Sequence, residues 1–464
     1  MRALCVPTFF ACVSLGGAIC ENLRNLRLNP EDRPLADERT PPKLVEHFFR
    51  HEHGRLVALL TKQFGLRHLD LVEDMVQSAL AQALQTWRTR GVPDEPTAWI
   101  YRVARNGTID RLRRDATAER EAHSLAAAIH RHANAGDQGQ FDQALDSDIE
   151  DGLLRMIFAC SHPSLAPEAR VALTLKTLCG FSVAEVARGL LIAEENAKKR
   201  ITRAKQQLAL EQIALEVPAG KALVERLESV HTVLYLMFNE GYSTTDSDRA
   251  IRRDVCAEAA RLCHLLTLHP HCSTPATSAL LALMLFHAAR FDARQDQDGC
   301  LVLLEDQDRS RWDQPLIRQA IDCLRSSAQG DTVSLYHLEA GIAMYHCKAQ
   351  SFAETNWKAI LRHYDLLLQL QRSPIYQLNR AIAVAHVDGP EAGIAAIQEL
   401  RDQPQLRQYP LFDATLGELH RRAGNLTLAA DHLRAALQKT RSPHDRQLLE
   451  RRLAQCGQRA QTIH

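Results

Sequence analysis

The sequence predicts an all-α protein in three helical parts, and two observations carry that prediction. Ala and Leu dominate a chain of 464 residues that is 45% hydrophobic and only 5% aromatic, while runs of β-branched residues, which favour strands, are scarce. Apolar residues also recur at three- and four-residue spacing, the pattern of helices with one buried face. The length allows two to four domains. Lys+Arg and Asp+Glu each number 56, so the chain has no global basic field and any polyanion site must be a local patch. Its twelve Cys lack paired spacing and read as reduced, mostly buried thiols.

Residues 3–20 are apolar and follow Arg2, as in a secretory leader. The charged start is thin, however, and Gly17-Ala-Ile-Cys20 is neither a clear Ala-x-Ala site nor a good lipoprotein box. Residues 1–41 are expected to lie outside the fold, as a disordered leader or the product of a misassigned translation start. Pro30, Pro34, Pro41 and Pro42 suit a loose segment. No other apolar run reaches roughly 18 residues, so no membrane span is expected.

The first folded part is expected over residues 42–115. Val45, Phe48, Phe49, Leu56, Leu59 and Leu60 repeat at helical spacing. The next helix buries Val72, Val76, Ala79, Leu80, Ala83 and Trp87, and its other side carries Asp70, Glu73, Asp74 and Gln77. Acidic residues in a first turn are favoured by the helix dipole whatever the function. Thr89–Pro96 is a Gly/Pro turn. A helix then starts near Pro96, which a first turn tolerates. Trp99, Val103 and Gly107 share one face, with Ile100 and Ala104 beside them. Arg102, Asn106, Ile109 and Arg113 share another, with Arg105 alongside. The planar Arg fork suits phosphate, and an Asn amide both donates to and accepts from a base edge. The same residues would also make an ordinary solvated basic face.

Residues 116–149 lack clear periodicity and are expected to link two domains, since so long a connection is out of place inside one. The second part, 150–212, begins its helices at Pro167, and Gly180 ends the first of these. Ser182-Val-Ala-Glu185 has the capping-box pattern. In the helix that follows the turn, Ala197, Ile201, Ala204 and Leu208 form a buried stripe, and Lys198, Lys199, Thr202, Arg203 and Gln206 face away from it. Two short helices tightly joined, the second exposing bases and amides, read as a helix-turn-helix.

Residues 213–464 are nearly all helical in pattern. Ser373-Pro374, Tyr409-Pro410 and Ser442-Pro443 begin segments 33 to 36 residues apart, near the tetratricopeptide (TPR) length, and Leu416-Gly417, Gly424, Ala429, Leu433 and Ala436 supply the small and apolar positions that repeat needs. A partly irregular TPR-like solenoid is expected there.

Trp99-Ile-Tyr-Arg-Val-Ala-Arg-Asn106 followed by Ile109-Asp-Arg-Leu-Arg-Arg114 resembles the promoter −10 helix of bacterial RNA polymerase sigma factors of the extracytoplasmic-function type. Asp70–Trp87 is similar to the polymerase-docking helix of that family, and Arg200-Ile-Thr-Arg-Ala-Lys205 to its −35-binding region. Leu234-Tyr-Leu-Met-Phe-Asn-Glu-Gly-Tyr242 is typical of a subgroup with a C-terminal extension. The resemblance spans about Pro42 to the C-terminus. It implies a factor that binds core RNA polymerase and promoter DNA in the cytoplasm and needs no cofactor or metal. Within it, Arg102, Arg105, Asn106 and Arg113 would contact the −10 element. Lys198, Lys199, Thr202, Arg203 and Gln206 would contact the −35 element, and Asp70, Glu73, Asp74 and Gln77 the polymerase. The turn before Pro96 would hold a flipped base. Apart from the resemblance, the concave surface expected of helical repeats suits a soluble protein or peptide, or the first two domains of the same chain. Lys198-Lys199 and Gln206-Gln207 depart from the family pattern, so base preference does not carry over. The alternative is a helix-turn-helix regulator whose TPR-like part binds a protein or ligand.

Two clusters invite other chemistry. Cys263, His264, His269, His271 and Cys272 lack the paired spacing of a zinc site, and Cys160-Ser-His162 precedes Pro163 in what reads as a structural turn rather than a thiol with its base. No phosphate loop, His-Glu-x-x-His or Gly-x-Ser-x-Gly occurs, and no catalytic residue is assigned.

Overall fold

The computed structural model describes residues 52–118, 152–190, 192–210, 221–242, 252–296, 300–329, 332–403, 405–407, 409–440 and 442–462. The expected leader and nearly all of the expected linker fall outside them. Among the described residues the chain is helical, with one isolated antiparallel bridge between Gln295 and Leu301. It divides into two compact units between Val233 and Leu234.

In the first unit, α1 (His53–Phe64) stops at Gly65, whose φ of 89° suits a residue without a side chain. After a 3₁₀ turn, α2 (Leu69–Arg90) buries Leu69, Val72, Val76, Ala79, Leu80, Ala83 and Trp87, one stripe at helical spacing. Gly91, at φ 82°, turns the chain into α3 (Pro96–Ala118). The rings of Trp87 and Trp99 meet edge to face at 5.6 Å. Ile100, Ala104, Thr108, Ile109 and Leu112 form the buried side of α3. Ile109 was expected on the outer face and lies instead in the core. Thr108 is accommodated there because its hydroxyl donates to the Ala104 carbonyl at 2.8 Å.

A helix through residues 152–160, α4, is apolar nearly all round. It ends at Cys160, whose thiol burial pushes up to about 12. Such a thiol stays protonated and is no nucleophile. Three helices follow: α5 (Pro167–Thr177), α6 (Val183–Gly189) and α7 (Glu194–Leu210). The capping box at α6 forms in both directions: the Glu185 amide donates to Ser182 Oγ at 3.1 Å, and the Ser182 amide donates to Glu185 Oε2 at 2.6 Å. In α7, Ala197, Ile201, Ala204 and Leu208 are buried as expected. The unit runs past the expected limit at residue 212. The first half of α8 (Lys221–Tyr242) belongs to it: Arg226 Nη1 donates to the Phe158 carbonyl at 3.2 Å, and Arg170 Nη1 to Ser229 Oγ at 3.3 Å.

The second unit contains the rest of α8, then α9 (Arg253–Leu268), α10 (Pro275–Ala288) and α11 (Gln314–Ser327). Helix α10 is buried almost all round, which makes it the centre of this part. The aromatic end of α8 is packing machinery. Phe238 stacks on Tyr242 and Phe291, and the Arg294 guanidinium lies 4.0 Å from the Tyr242 ring while donating to the Tyr242 carbonyl at 2.6 Å. Seven helices complete the unit: α12 (Leu335–Lys348), α13 (Trp357–Leu370), α14 (Pro374–Asp388), α15 (Pro390–Gln398), α16 (Pro410–Arg422), α17 (Leu426–Lys439) and α18 (Pro443–Thr462). The three Pro singled out in the sequence each begin a helix, where a missing amide hydrogen costs nothing. Leu433 packs so closely on Gly417 that a Cβ there would lie 2.9 Å from its Cγ. Arg452 donates to Glu305 and Asp306 at 2.7 and 2.9 Å, so the last helix is tied to the segment after α10.

Glu339 is buried, its carboxylate accepting from the hydroxyls of Tyr235 at 2.8 Å and Tyr376 at 2.5 Å. Burial pushes its carboxyl from 4.5 up to about 7, and the two hydroxyls offset part of that rise. The folded group thus holds its proton more tightly than the unfolded one. Its contribution to stability is full below pH 4.5 and is lost as pH rises through about 7. Glu339→Gln, always neutral, should lose less stability than wild type when urea unfolding is followed from about pH 5 to about pH 8. Parallel pH dependences would contradict this reading.

Candidate nucleic-acid interface

The basic side of α3 is set by how the opposite side packs. Ile100 and Ala104 lie in the core, and Tyr101 Oη donates to Gln63 Oε1 of α1 at 3.3 Å. That orientation leaves Arg102, Asn106 and Arg113 exposed, with Arg105 half-buried. Arg113 approaches Asp110 at 3.9 Å, with both side chains more than half exposed, and such a pair holds its Arg only weakly. The turn before α3 is open: Arg90, Gly91, Val92, Asp94 and Glu95 are exposed, and Val92 is one of few large apolar side chains so placed.

Helix α7 presents a second face. With its buried stripe turned inward, Lys198, Lys199, Thr202, Arg203 and Gln206 are all exposed. Lys199 pairs with Glu195 one turn earlier at 3.6 Å, again well exposed. Gln207 is turned to the protein, its amide donating to the Ser164 carbonyl at 2.9 Å. The capped helix α6 precedes α7 in the chain.

The acidic side of α2 differs from expectation at one residue. Asp70, Asp74 and Gln77 are exposed, but Glu73 is only 3% exposed. The reason is Lys205 of α7, whose ammonium lies 2.7 Å from Glu73 Oε2 and 2.7 Å from Asp70 Oδ1. Lys176 of α5 stands 3.8 Å from Glu73 Oε1. Burial alone would lower the Lys205 pKa, and the Glu73 and Asp70 carboxylates more than reverse this. Sequence reasoning placed Lys205 within the −35-like motif and gave it no partner. The one signal pointing inward is its place beside Ala204 and four residues after Ile201.

These faces can do binding chemistry: two exposed sets of guanidinium, ammonium and amide groups on helices, and a carboxylate-bearing face on a third. Among the described residues no group of His, Cys, Asp and Glu is arranged to hold a metal ion, and no helix is long and apolar enough to cross a membrane.

Comparison with known proteins agrees with this arrangement. Residues 48–117 match the family described as Sigma-70 region 2, residues 155–208 the family described as Sigma-70, region 4, and residues 226–328 a family of unknown function, DUF6596. An uncharacterized protein of Rhizobium meliloti (strain 1021) is 37% identical over 362 residues, 77% of this chain and 83% of its own. The ECF RNA polymerase sigma factor SigM of Mycobacterium tuberculosis (strain ATCC 35801 / TMC 107 / Erdman) is 28% identical over 166 residues, 35% of this chain and 74% of SigM. SigL of the same strain, also an ECF RNA polymerase sigma factor, is 30% identical over 140 residues, 30% of this chain and 72% of SigL. No solved structure matches. With both sigma-70 regions in order on the helices that carry the basic faces, the chain belongs to the extracytoplasmic-function (ECF) RNA polymerase sigma factors.

Proposed function

We propose that this chain binds core RNA polymerase through the acidic face of α2 and directs it to promoters through α3 and α7. Arg102, Arg105, Asn106 and Arg113 then meet the −10 element, and Lys198, Lys199, Thr202, Arg203 and Gln206 the −35 element. The open turn at Val92 takes a base flipped from the melted strand. The observation that supports this most is the pair of exposed basic faces, each on a helix whose other side is core. The reading places the chain in the cytoplasm, leaves the chemistry of RNA synthesis to the polymerase, and gives residues 234–464 a TPR-like role in binding a soluble protein or peptide that modulates the rest.

The test is gel filtration of the purified chain with core polymerase, followed by a mobility shift on DNA carrying a preformed single-stranded −10 segment. The chain should co-elute with core, and the complex should shift DNA that neither component shifts alone at the same concentration. Separate elution would sink the proposal. A chain ending at Val233 that performed identically there and in cells would remove the role given to the extension.

A further inference from the structure

Part of the polymerase-facing side proposed for α2 is covered by the protein itself. We propose that Lys205 clasps α7 onto α2, and that this closed arrangement withholds part of the docking face from RNA polymerase until the helices part. The inference rests on the docking role proposed for α2.

The clasp is built, not incidental. Lys205 bridges two carboxylates at 2.7 Å each, and its side chain is 17% exposed against 3% for Glu73. Lys176 adds a second cation beside Glu73 from α5. The surrounding backbone is close as well. The 3₁₀ turn Leu66–His68 packs on α7, and Gly54 at the start of α1 lies against the Leu178 carbonyl so tightly that no Cβ fits. His53 beside it is buried, and burial, then the nearby Lys176 and Lys205 charges, lowers it to about 4, so it stays neutral and adds no competing cation. A carboxylate this hidden is stable only while its partners remain.

A basic polymerase surface therefore reaches Glu73 only after Lys205 leaves it. Asp74 and Gln77 stay exposed in the closed arrangement and remain available for the first encounter. If the open form is about a tenth of the population, apparent affinity for core is about tenfold weaker than the intrinsic value.

The test uses the full chain with a dye pair introduced through unnatural amino acids at exposed Gln82 and Ala209. Lys205→Met removes the ammonium and keeps an apolar stem of similar length. Energy transfer should fall, and affinity for core should tighten by about tenfold. Lys205→Gln carries the same expectation and serves if the first variant loses its helical circular dichroism. Unchanged transfer and unchanged affinity would overturn the proposal. Transfer that falls with affinity unchanged would also overturn it, because the clasp would then hide nothing that polymerase uses. Asp74→Lys with Gln77→Lys separates the two readings. If that pair weakens core binding while the Lys205 variants change nothing, the docking face stands and the clasp fails. If neither set has an effect, the docking role itself has failed.

Discussion

Asp74→Lys combined with Gln77→Lys is expected to weaken binding to core polymerase by about a hundredfold, close to 3 kcal/mol, with helical circular dichroism unchanged. Both side chains are exposed on α2, so neither substitution disturbs the stripe from Leu69 to Trp87. Both sit where a basic partner surface would approach, and turning the Asp74 carboxylate and the neutral Gln77 amide into ammonium groups sets like charges against it, which costs affinity and slows encounter. Glu73 is unsuitable for this purpose. It lies between Lys205 and Lys176, and a third ammonium there would be buried among its own kind. Asp70 is also shared with Lys205, so reversing it would open the clasp and mask a docking loss. Surface plasmon resonance against immobilised core polymerase reads the effect. Binding equal to wild type would remove α2 from the interface.

The second large effect concerns promoter DNA. Lys199→Ala with Arg203→Ala should lower promoter affinity of the polymerase complex by about tenfold or more at moderate salt and reduce the slope of log affinity against log salt by about 2. Each phosphate contact releases condensed counterions, and on the proposed reading the pair would remove two. Neither residue supports the fold: both are exposed, and the Lys199–Glu195 pair is a solvated contact between side chains 59% and 69% exposed. A slope that does not move would mean that α7 does not face DNA. A loss confined to some promoter sequences would assign base reading to one of the two side chains.

Much of this was legible from local pattern. The stripes of α2 and α7, the Ser182–Glu185 cap and the proline starts of α14, α16 and α18 each follow from spacing within a few residues, which is where helix physics acts. Nine described Cys, eight of them buried, suit the expectation of scattered thiols. What sequence pattern hid is long-range. It gives a helix its outer side but not the distant element that covers it, so Glu73 read as exposed until Lys205 came to lie over it. Ile109 was misplaced because the buried side of α3 includes Thr108, a polar residue that satisfies itself on the Ala104 carbonyl and interrupts the apolar period. The extent of the first unit was also unreadable. Nothing in the periodicity of α8 separates residues that pack near Phe158 from the aromatic end that packs on Phe291.

Promoter-directed initiation is tested by multi-round run-off transcription with purified core polymerase, this chain and a library of genomic fragments, with transcript 5′ ends mapped. Transcripts are expected from a small set of discrete start sites that require both components, share sequence near −10 and −35, and weaken with Lys199→Ala and Arg203→Ala. Core polymerase that gives the same transcripts with and without the chain would contradict it.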